Sequence, residues 1–424
     1  MNRRHFLVTS VAAVGAARGT EPVADASQLK EAMRKAVPGD TVLLRDGVWT
    51  DADLTIEAEG TPGRPITIRA QTPGRTILTG HSRIRIGGRH LVVDGLYFND
   101  GQVTDAVIAF RASPTKLASE CRVTRCVVTG FLAKSRETDT KFVSIYGSKN
   151  RFDHCYVAGK INLGTTLVVW LKAEDPVAGH LIDHNHFGPR PRLGLNGGET
   201  IRVGDSSTSM LSCKTRVEHN YFEKCNGEVE IVSNKSCDNL YTGNLFERCE
   251  GTLTLRHGNR CTVDGNIFLG HSEKNTGGIR IIAEDHKVIN NYLRGLTGKD
   301  TRAAITMMNG IPNSPLFGYF QVKRAMVANN RVLDCAEPVV IGIGDATKAS
   351  LPPLDCTFAK NIIVGTEGPL VQLLNPLAEV YWDGNVFYGA DTGLKGVAAA
   401  PAAPAVGRPP AFDRSDAGPD WFKA

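Results

Sequence analysis

Short stretches in which apolar and polar residues alternate recur along most of this chain, and each leads into a turn that carries asparagine. The segments "TRVEHNYFEKC" from Thr215, "NLYTGNLFERC" from Asn239 and "RCTVDGNIFLG" from Arg260 can be laid directly over one another. Alternation with a period of two is the pattern of a β-strand with one buried face. The aligned asparagines are Asn185, Asn220, Asn244, Asn266, Asn291, Asn330, Asn361 and Asn385, and the two preceding repeats place Cys155 and Cys126 in the same slot.

A repeat built of strands and turns, without helices, predicts an all-β, single-domain right-handed parallel β-helix. Its coils stack about 4.8 Å apart, so that like residues form ladders. We expect the asparagines to bond turn backbone groups and to tolerate left-handed conformations. Cys213, Cys237 and Cys261 also follow the repeat, 24 residues apart. We interpret them as buried apolar rungs, with a disulfide between neighbouring rungs as the alternative.

The first 17 residues have the layout of an export signal. Arg3 and Arg4 precede a short apolar run and then small residues in "MNRRHFLVTSVAAVGAARGTEP". This order resembles a twin-arginine signal, and the run is too short and too interrupted to span a membrane. We therefore expect a periplasmic or secreted bacterial protein that is not bound to a membrane.

The remaining chain divides into a β-helix over residues 24–390 and a tail over residues 391–424. Residues Ser27 to Ala36 have helical periodicity, with Leu29 and Met33 on one face. We expect this short N-terminal helix to cap the open end of the solenoid, because terminal repeats need a polar cover. The tail is rich in proline and alanine, which predicts loose packing.

Composition restricts the class of partner. The formal net charge is +5, and no lysine or arginine block or basic helix interrupts the repeat. This balance is compatible with a polyanionic ligand, and we do not expect nucleic acid as a partner. The sequence leaves the oligomeric state open.

Two glutamates interrupt an apolar run in "GEVEIVSNKS". Glu228 and Glu230 are two residues apart, so in an extended strand both side chains point to the same side. We expect Asn196 to approach them from a loop of the preceding coil. Two carboxylates and an amide oxygen form a hard-oxygen site that suits Ca²⁺, and a bound cation would relieve the repulsion between the like charges.

Aligning the coils through their cysteines gives a predicted register. It places Thr252 over Glu228, Thr254 over Glu230 and Arg202 beneath Glu230. The outer face that results also collects Lys235, Arg256 and Arg280.

A lysine and an arginine beside a cation site predict acid–base chemistry. Nearby positive charge and desolvation both favour the neutral form of Lys235, which can then act as a base. Arg256 can place positive charge or a proton where a leaving oxygen develops charge. A metal bound to a substrate carboxylate acidifies the adjacent carbon. These parts together predict β-elimination on a uronic-acid polysaccharide.

Several ordered segments resemble the family-six polysaccharide lyases, which include alginate lyases and chondroitinase B. They are "NGGETIRVGDSSTSM", "EVEIVSNKS", "LRHGN", "GGIRI" and "GYFQV", and the likeness extends from about Ala24 to Gly389. The resemblance implies a right-handed parallel β-helix and calcium-assisted β-elimination. It implies calcium ligands at Asn196, Glu228 and Glu230, a base at Lys235 and an acid at Arg256.

The same resemblance places His257 and Arg280 in the substrate groove. Arg202 is a further candidate for substrate binding, because it lies on the predicted outer face. His257 as a turn residue and Arg280 as the partner of a neighbouring acid are the alternatives for these two positions.

The expected function is that of an exported, calcium-dependent alginate lyase. A dermatan sulfate lyase shares the same machinery and is the alternative within the class. A glycoside hydrolase needs a pair of carboxyl groups at a set separation, but Asp183, Asp264 and Asp383 occupy scaffold turns. A non-catalytic glycan-binding solenoid is the third alternative, since it accounts for the charged face without chemistry.

Overall fold

The computed structural model describes residues 21–173, 178–345 and 347–423, and this part of the chain forms the predicted right-handed parallel β-helix. Three long sheets of parallel strands run the length of the solenoid. The predicted export signal at residues 1–17 lies outside the described residues. Among the described residues, no helix is long and apolar enough to cross a membrane.

Each sheet takes one strand from nearly every coil. Sheet 1 contains Thr41–Leu44, Ile66–Ala70, Leu91–Asp94, Arg122–Thr124, Arg151–Asp153, Leu181–Asp183, Arg216–Glu218, Leu240–Thr242, Thr262–Asp264, Lys287–Ile289, Met326–Ala328, Cys356–Ala359 and Val380–Asp383. Sheet 2 contains Gly47–Thr50, Thr76–Gly80, Tyr97–Gln102, Val127–Val128, Phe131–Leu132, Tyr156–Val157, His186–Phe187, Tyr221–Glu223, Leu245–Glu247, Ile267–Leu269, Tyr292–Arg294, Arg331–Leu333, Ile362–Gly365 and Val386–Gly389. Sheet 3 contains Asp53–Glu59, Arg83–Arg89, Ala106–Ala109, Ala118–Ser119, Lys141–Ile145, Leu167–Val169, Ile201–Gly204, Glu230–Lys235, Thr252–His257, Ile279–Ile281, Ile305–Met308, Val339–Ile343 and Val371–Leu373. Three single-turn 3₁₀ helices span Ser206–Thr208, Asp300–Arg302 and Arg414–Asp416.

The core is a column of stacked side chains inside the coils. Phe187, Phe222, Phe246 and Phe268 lie in successive coils with ring centroids 5.0, 4.5 and 4.6 Å apart. All ten cysteines are buried free thiols, as the apolar interpretation predicts. Because each coil buries its apolar face only against its neighbours, the stack determines the position of every outer side chain.

The asparagine ladder is present and continuous from Asn185 to Asn385. The main-chain N–H and the side-chain amide of Asn220 both donate to Oδ1 of Asn244, each at 3.0 Å. Below the first asparagine, the N–H of Cys155 donates to Oδ1 of Asn185 at 3.0 Å. The left-handed residue is the one before each asparagine, for example His219 with φ 52°, so the expectation that the asparagines themselves take this conformation is wrong.

One α-helix is present in the described ranges, Ala26–Lys35, and it covers the N-terminal end of the solenoid as predicted. The Asp25 carboxylate caps it by accepting from the N–H of Gln28 at 2.8 Å. Leu29 and Met33 are buried against the first coils. The polar face of the helix therefore closes the core on the solvent side.

The C-terminal tail is mostly exposed along its proline- and alanine-rich part and is attached nearer its end. It runs back over sheet 2, where the Arg414 guanidinium lies 3.0 Å from the Glu247 carboxylate. Near its end, the Trp421 indole N–H donates to the carbonyl of Arg125 at 3.0 Å, and its ring lies 6.2 Å from that of Tyr97. A few aromatic and charged residues attach the tail to the solenoid. The proline and alanine content of the tail does not predict these contacts.

We expect Asn244→Ala to lower the free energy of unfolding by about 2 kcal/mol, since it leaves the buried N–H of Asn220 without its acceptor. Denaturation in guanidinium chloride measures the loss. Asn99→Ala is the matched control, because the Asn99 side chain is half-buried outside the ladder. Equal midpoints for the two variants would contradict a stabilising role for the ladder.

Candidate active site

The predicted site residues converge on the outer face of sheet 3. The strands Ile201–Gly204, Glu230–Lys235, Thr252–His257 and Ile279–Ile281 are neighbours in that sheet. Lys235 ends its strand, where it lies between Gly204 of the preceding coil and His257 of the following coil. A Cβ at Gly204 would lie 2.4 Å from the Lys235 carbonyl oxygen, so only glycine lets the two strands approach this closely.

Three carboxylates meet at the start of the Glu230–Lys235 strand. One oxygen each of Glu199, Glu228 and Glu230 lies within 4.8 Å of the others. Glu228 precedes the strand in a bend, so a loop, and not strand alternation, brings it beside Glu230. Glu199 is the member that sequence reasoning missed. Its signal was the alignment of "ETIRVG" with "EIVSNK", which places Glu199 directly beneath Glu230.

The electrostatics of this cluster are unfavourable without a counter-charge. Burial, followed by the charges of Glu199 and Glu230, raises the pKa of Glu228 to about 8. One carboxylate oxygen of Glu199 and one of Glu228 are buried without a hydrogen-bond partner among the described residues. Unsatisfied buried carboxylate oxygens at this spacing are a donor set that suits a hard cation such as Ca²⁺.

Asn196 reaches the same place from the loop before the Ile201–Gly204 strand. Asn196 and Glu228 line one cavity of about 500 Å³. The N–H of the next residue, Gly197, donates to Glu228 Oε2 at 3.2 Å. The structure therefore brings the predicted amide ligand to the cavity that Glu228 lines.

A buried arginine fixes the segment that carries Glu199. The Arg190 guanidinium donates to the carbonyl oxygens of Glu199 at 2.6 Å, Gly164 at 2.8 Å and Asn162 at 3.2 Å. Burial lowers the pKa of Arg190 to about 10. Nothing in the sequence pattern distinguishes this arginine from a surface one, so it was not predicted.

The predicted register across the two central coils is partly wrong. Thr252 pairs with Glu230 and not with Glu228, and Thr254 pairs with Ser233 and not with Glu230. Irregularities between Glu230 and Val232 and near the end of the strand shift the pairing. An alignment through cysteines cannot detect such bulges.

The predicted place of Arg202 beneath Glu230 is also wrong. Arg202 pairs with Ser233, and its guanidinium carbon lies 5.1 Å from the centroid of the Trp170 ring. The residue is half-buried on the outer face, one coil before Lys235.

Glu230 takes its positive partners from the following coils instead. Arg280, which lies beside Thr254 in the sheet, is buried and pairs with Glu230 Oε1, while the Ser233 hydroxyl donates to Oε2. Arg256 Nε lies 3.8 Å from Oε1. The acid-pairing alternative for Arg280 is therefore the arrangement present.

A loop after the Ile305–Met308 strand fixes Arg256. Its guanidinium donates to the carbonyls of Gly318 at 2.7 Å and Phe317 at 3.2 Å, and lies 4.1 Å from the centroid of the Tyr319 ring. Burial lowers the pKa of Arg256. Tyr319 belongs to the segment "GYFQV". Its contact with Arg256 was not predicted, because the two residues are too far apart in the sequence.

His257 is buried behind Lys235 and Arg256. Burial, with the positive charges of Arg256 and Lys235, lowers the pKa of His257 to about 3, so the ring is neutral at neutral pH. Its Nε2 lies 3.4 Å from Ser206 Oγ, and its Nδ1 lies 3.4 Å from an Arg256 nitrogen. The turn alternative for His257 is wrong, because the residue ends a strand.

Comparison with known proteins matches nearly the whole described chain to the family that the sequence resembles. The Chondroitinase B family model matches residues 23–388. The polysaccharide lyase family 6 (PL6) alginate lyase AlyGC is 40% identical with a TM-score of 0.88, and the match covers 93% of this chain and 56% of AlyGC. A mannuronic acid specific family 6 lyase from human gut microbiota is 30% identical with a TM-score of 0.79, covering 87% of this chain and 90% of that one.

The likeness to the PL6 lyase Pedsa3628 from Pseudopedobacter saltans shows the fold alone. That protein is 24% identical with a TM-score of 0.81, over 96% of this chain and 100% of its own. A search of curated proteins found no match. The chain spans little more than half the length of AlyGC, 56%. With the family model matching most of its length, this chain belongs to the Chondroitinase B family, which contains the family-six polysaccharide lyases.

Proposed function

We propose that this protein is an exported, calcium-dependent lyase that cleaves alginate by β-elimination and releases unsaturated oligosaccharides. The observation that carries the proposal is the buried carboxylate cluster, with two partnerless oxygens, beside Lys235 and Arg256. A glycan-binding solenoid would not need a lysine and an arginine to converge on a cation site. Export is inferred from the sequence of residues 1–17.

Asn196, Glu228 and Glu230 would hold the cation, with Glu199 as a further ligand or an adjacent negative charge. When bound, Ca²⁺ neutralises a uronate carboxylate and so makes the proton on the adjacent C5 more acidic. The carboxylates are fixed by the solenoid before any ligand arrives, because Arg190 and the sheet register fix the backbone around them. Cation binding therefore requires little rearrangement of the protein around these carboxylates.

Lys235 is the base that removes the C5 proton. It is half-buried at the end of its strand, on the sheet that carries Glu230 and Arg256. The neutral form of its amine has the lone pair that proton removal requires.

Arg256 assists the departing glycosidic oxygen. Two main-chain carbonyls and the Tyr319 ring hold the guanidinium in place. None of these neutral partners cancels its positive charge. A fixed positive group near the developing oxyanion stabilises the transition state more than the ground state. Neutral His257 supports this position, and Arg202 is placed to attract a second uronate.

Alginate is preferred as the substrate because an alginate lyase at 40% identity and a mannuronic acid specific lyase at 30% identity are among the similar structures. Dermatan sulfate is the second candidate because the matching family model bears the name of chondroitinase B.

We expect the mature protein to release ultraviolet-absorbing unsaturated uronate from alginate when Ca²⁺ is present, and not from dermatan sulfate. Absorbance measured on both polymers, with Ca²⁺ and with a chelator, tests the substrate and the cation together. A rise on dermatan sulfate alone would reverse the substrate assignment. No rise on either polymer, nor on other polyuronates, would overturn the proposed activity.

Lys235→Ala is expected to reduce kcat by about 10²- to 10⁴-fold, the usual contribution of a general base. Lys287→Ala is the matched control, since Lys287 is an exposed strand residue on sheet 1. We expect its kcat to stay within about two-fold of wild type. Near-full activity in Lys235→Ala would exclude this lysine as the base.

Calcium affinity should rise with pH up to about 8, because Ca²⁺ binds the ionised form of Glu228, whose pKa is raised to about 8. Calorimetry at pH 7 in buffers of different ionisation enthalpy should detect release of nearly one proton per Ca²⁺ bound. Glu228→Gln should abolish proton release and weaken binding, whereas Glu367→Gln, at an exposed position, should change neither. Binding with no proton release in the wild type would contradict the protonated state of Glu228.

A further inference from the structure

A row of two stacked aromatic side chains with an arginine at each end lies on the outer face of sheet 3, N-terminal to Lys235. The Arg111 guanidinium lies 4.0 Å from the Tyr146 ring centroid. Tyr146 and Trp170 are stacked, with centroids 5.9 Å apart and planes at 11°. Arg202 covers the next face of Trp170 at 5.1 Å. We call these four residues the arginine–aromatic stack.

The stack lies in line with the candidate active site. Tyr146 and Trp170 directly follow the paired residues Ile145 and Val169, and Val169 in turn pairs with Val203, the neighbour of Gly204. Gly204 pairs with Lys235. Arg111 is therefore four coils before Lys235, which is about 19 Å at the spacing of adjacent strands.

The two arginines of the stack are positioned for an anionic ligand. Neither Arg111 nor Arg202 forms an ion pair with an acid in the described ranges, whereas Arg83 and Arg85 both pair with Asp53. A guanidinium stacked on a ring keeps its N–H edge free to bind a carboxylate, and stacking reduces the entropy lost on binding.

Space for a ligand adjoins the far end of the stack. Arg111 lines a cavity of about 150 Å³ together with Arg83 and Arg85, and Asp105 is the one acidic residue in its lining. The cavity and the stack thus form a surface on which positive charge predominates, continuous with the face that carries Lys235.

We propose that the arginine–aromatic stack is an extended binding region for the acidic polysaccharide, which begins at Arg202 one coil from Lys235 and ends at Arg111, where it contacts a uronate carboxylate several sugars away from the bond that is cleaved. The proposal rests on the proposed function, because it takes the ligand to be a polyuronate. It predicts that affinity depends on chain length: only a polymer long enough to reach from Lys235 to Arg111 gains these contacts.

Binding measured in an inactive Lys235→Ala background tests the proposal, with alginate and with an alginate disaccharide as ligands in the presence of Ca²⁺. Adding Arg111→Gln should weaken polymer binding by about ten-fold, the loss expected for a hydrogen bond to a charged group. It should change disaccharide binding by less than about two-fold, since the disaccharide is too short to span four coils. Arg69→Gln, which removes one exposed arginine from sheet 1, is the matched control.

Tryptophan fluorescence supplies a second readout. Polymer binding should change the emission of Trp170, and Trp170→Phe should remove that change while keeping an aromatic ring between Tyr146 and Arg202.

The proposal is overturned if Arg111→Gln binds the polymer as Arg69→Gln does, or if it weakens disaccharide and polymer equally. If the Lys235→Ala protein binds neither ligand, both this proposal and the alginate assignment fail. If it binds the polymer but the wild-type protein releases no unsaturated product, only the lyase proposal fails, and the Arg111→Gln comparison still decides the role of the stack.

Discussion

The repulsion among three carboxylates, two of them buried and one half-buried, is the constraint on which the rest of the site depends. Glu199, Glu228 and Glu230 are brought within 4.8 Å of one another by the stacked coils, and Glu228 responds with a pKa raised to about 8. A chain gains nothing in stability from such an arrangement unless a proton or a cation compensates it. The positive groups around it, Arg256 and Arg280, offset part of this charge at Glu230 but leave oxygens of Glu199 and Glu228 unsatisfied.

The solenoid tolerates these repelling carboxylates because the interactions that stabilise it lie on other sides of the coils. The asparagine ladder and the phenylalanine column bind coil to coil on the sides away from sheet 3. The outer face of sheet 3 can then carry charge without weakening the core. The same regular stacking extends the face beyond the carboxylates, so that one continuous strip joins Arg111 to Lys235.

The fold could be predicted from sequence because each coil repeats the same local solution: Asn220, Asn244 and Asn266 recur in one structural position. The cation ligands and the candidate base and acid were predicted from a short segment and a family resemblance. Register at the site was not predictable, since bulges near Val232 and Lys235 exchange the neighbours of Glu230. Glu199, Arg190 and Tyr319 were missed because their roles come from contacts between coils or loops, which no local pattern encodes. The attachment of the tail was not predicted because Trp421 binds Arg125, which lies 296 residues earlier in the chain.

The most direct test of the central claim is long-wavelength X-ray diffraction from crystals of the protein soaked in Ca²⁺. The account predicts one anomalous difference peak, about 2.3–2.6 Å from carboxylate oxygens of Glu228 and Glu230 and from the Asn196 amide oxygen. A peak coordinated by Glu199 as well would establish the fourth ligand. Full soaking with no peak among these residues would contradict the account, and the carboxylate cluster would then be a protonated structural feature of the solenoid.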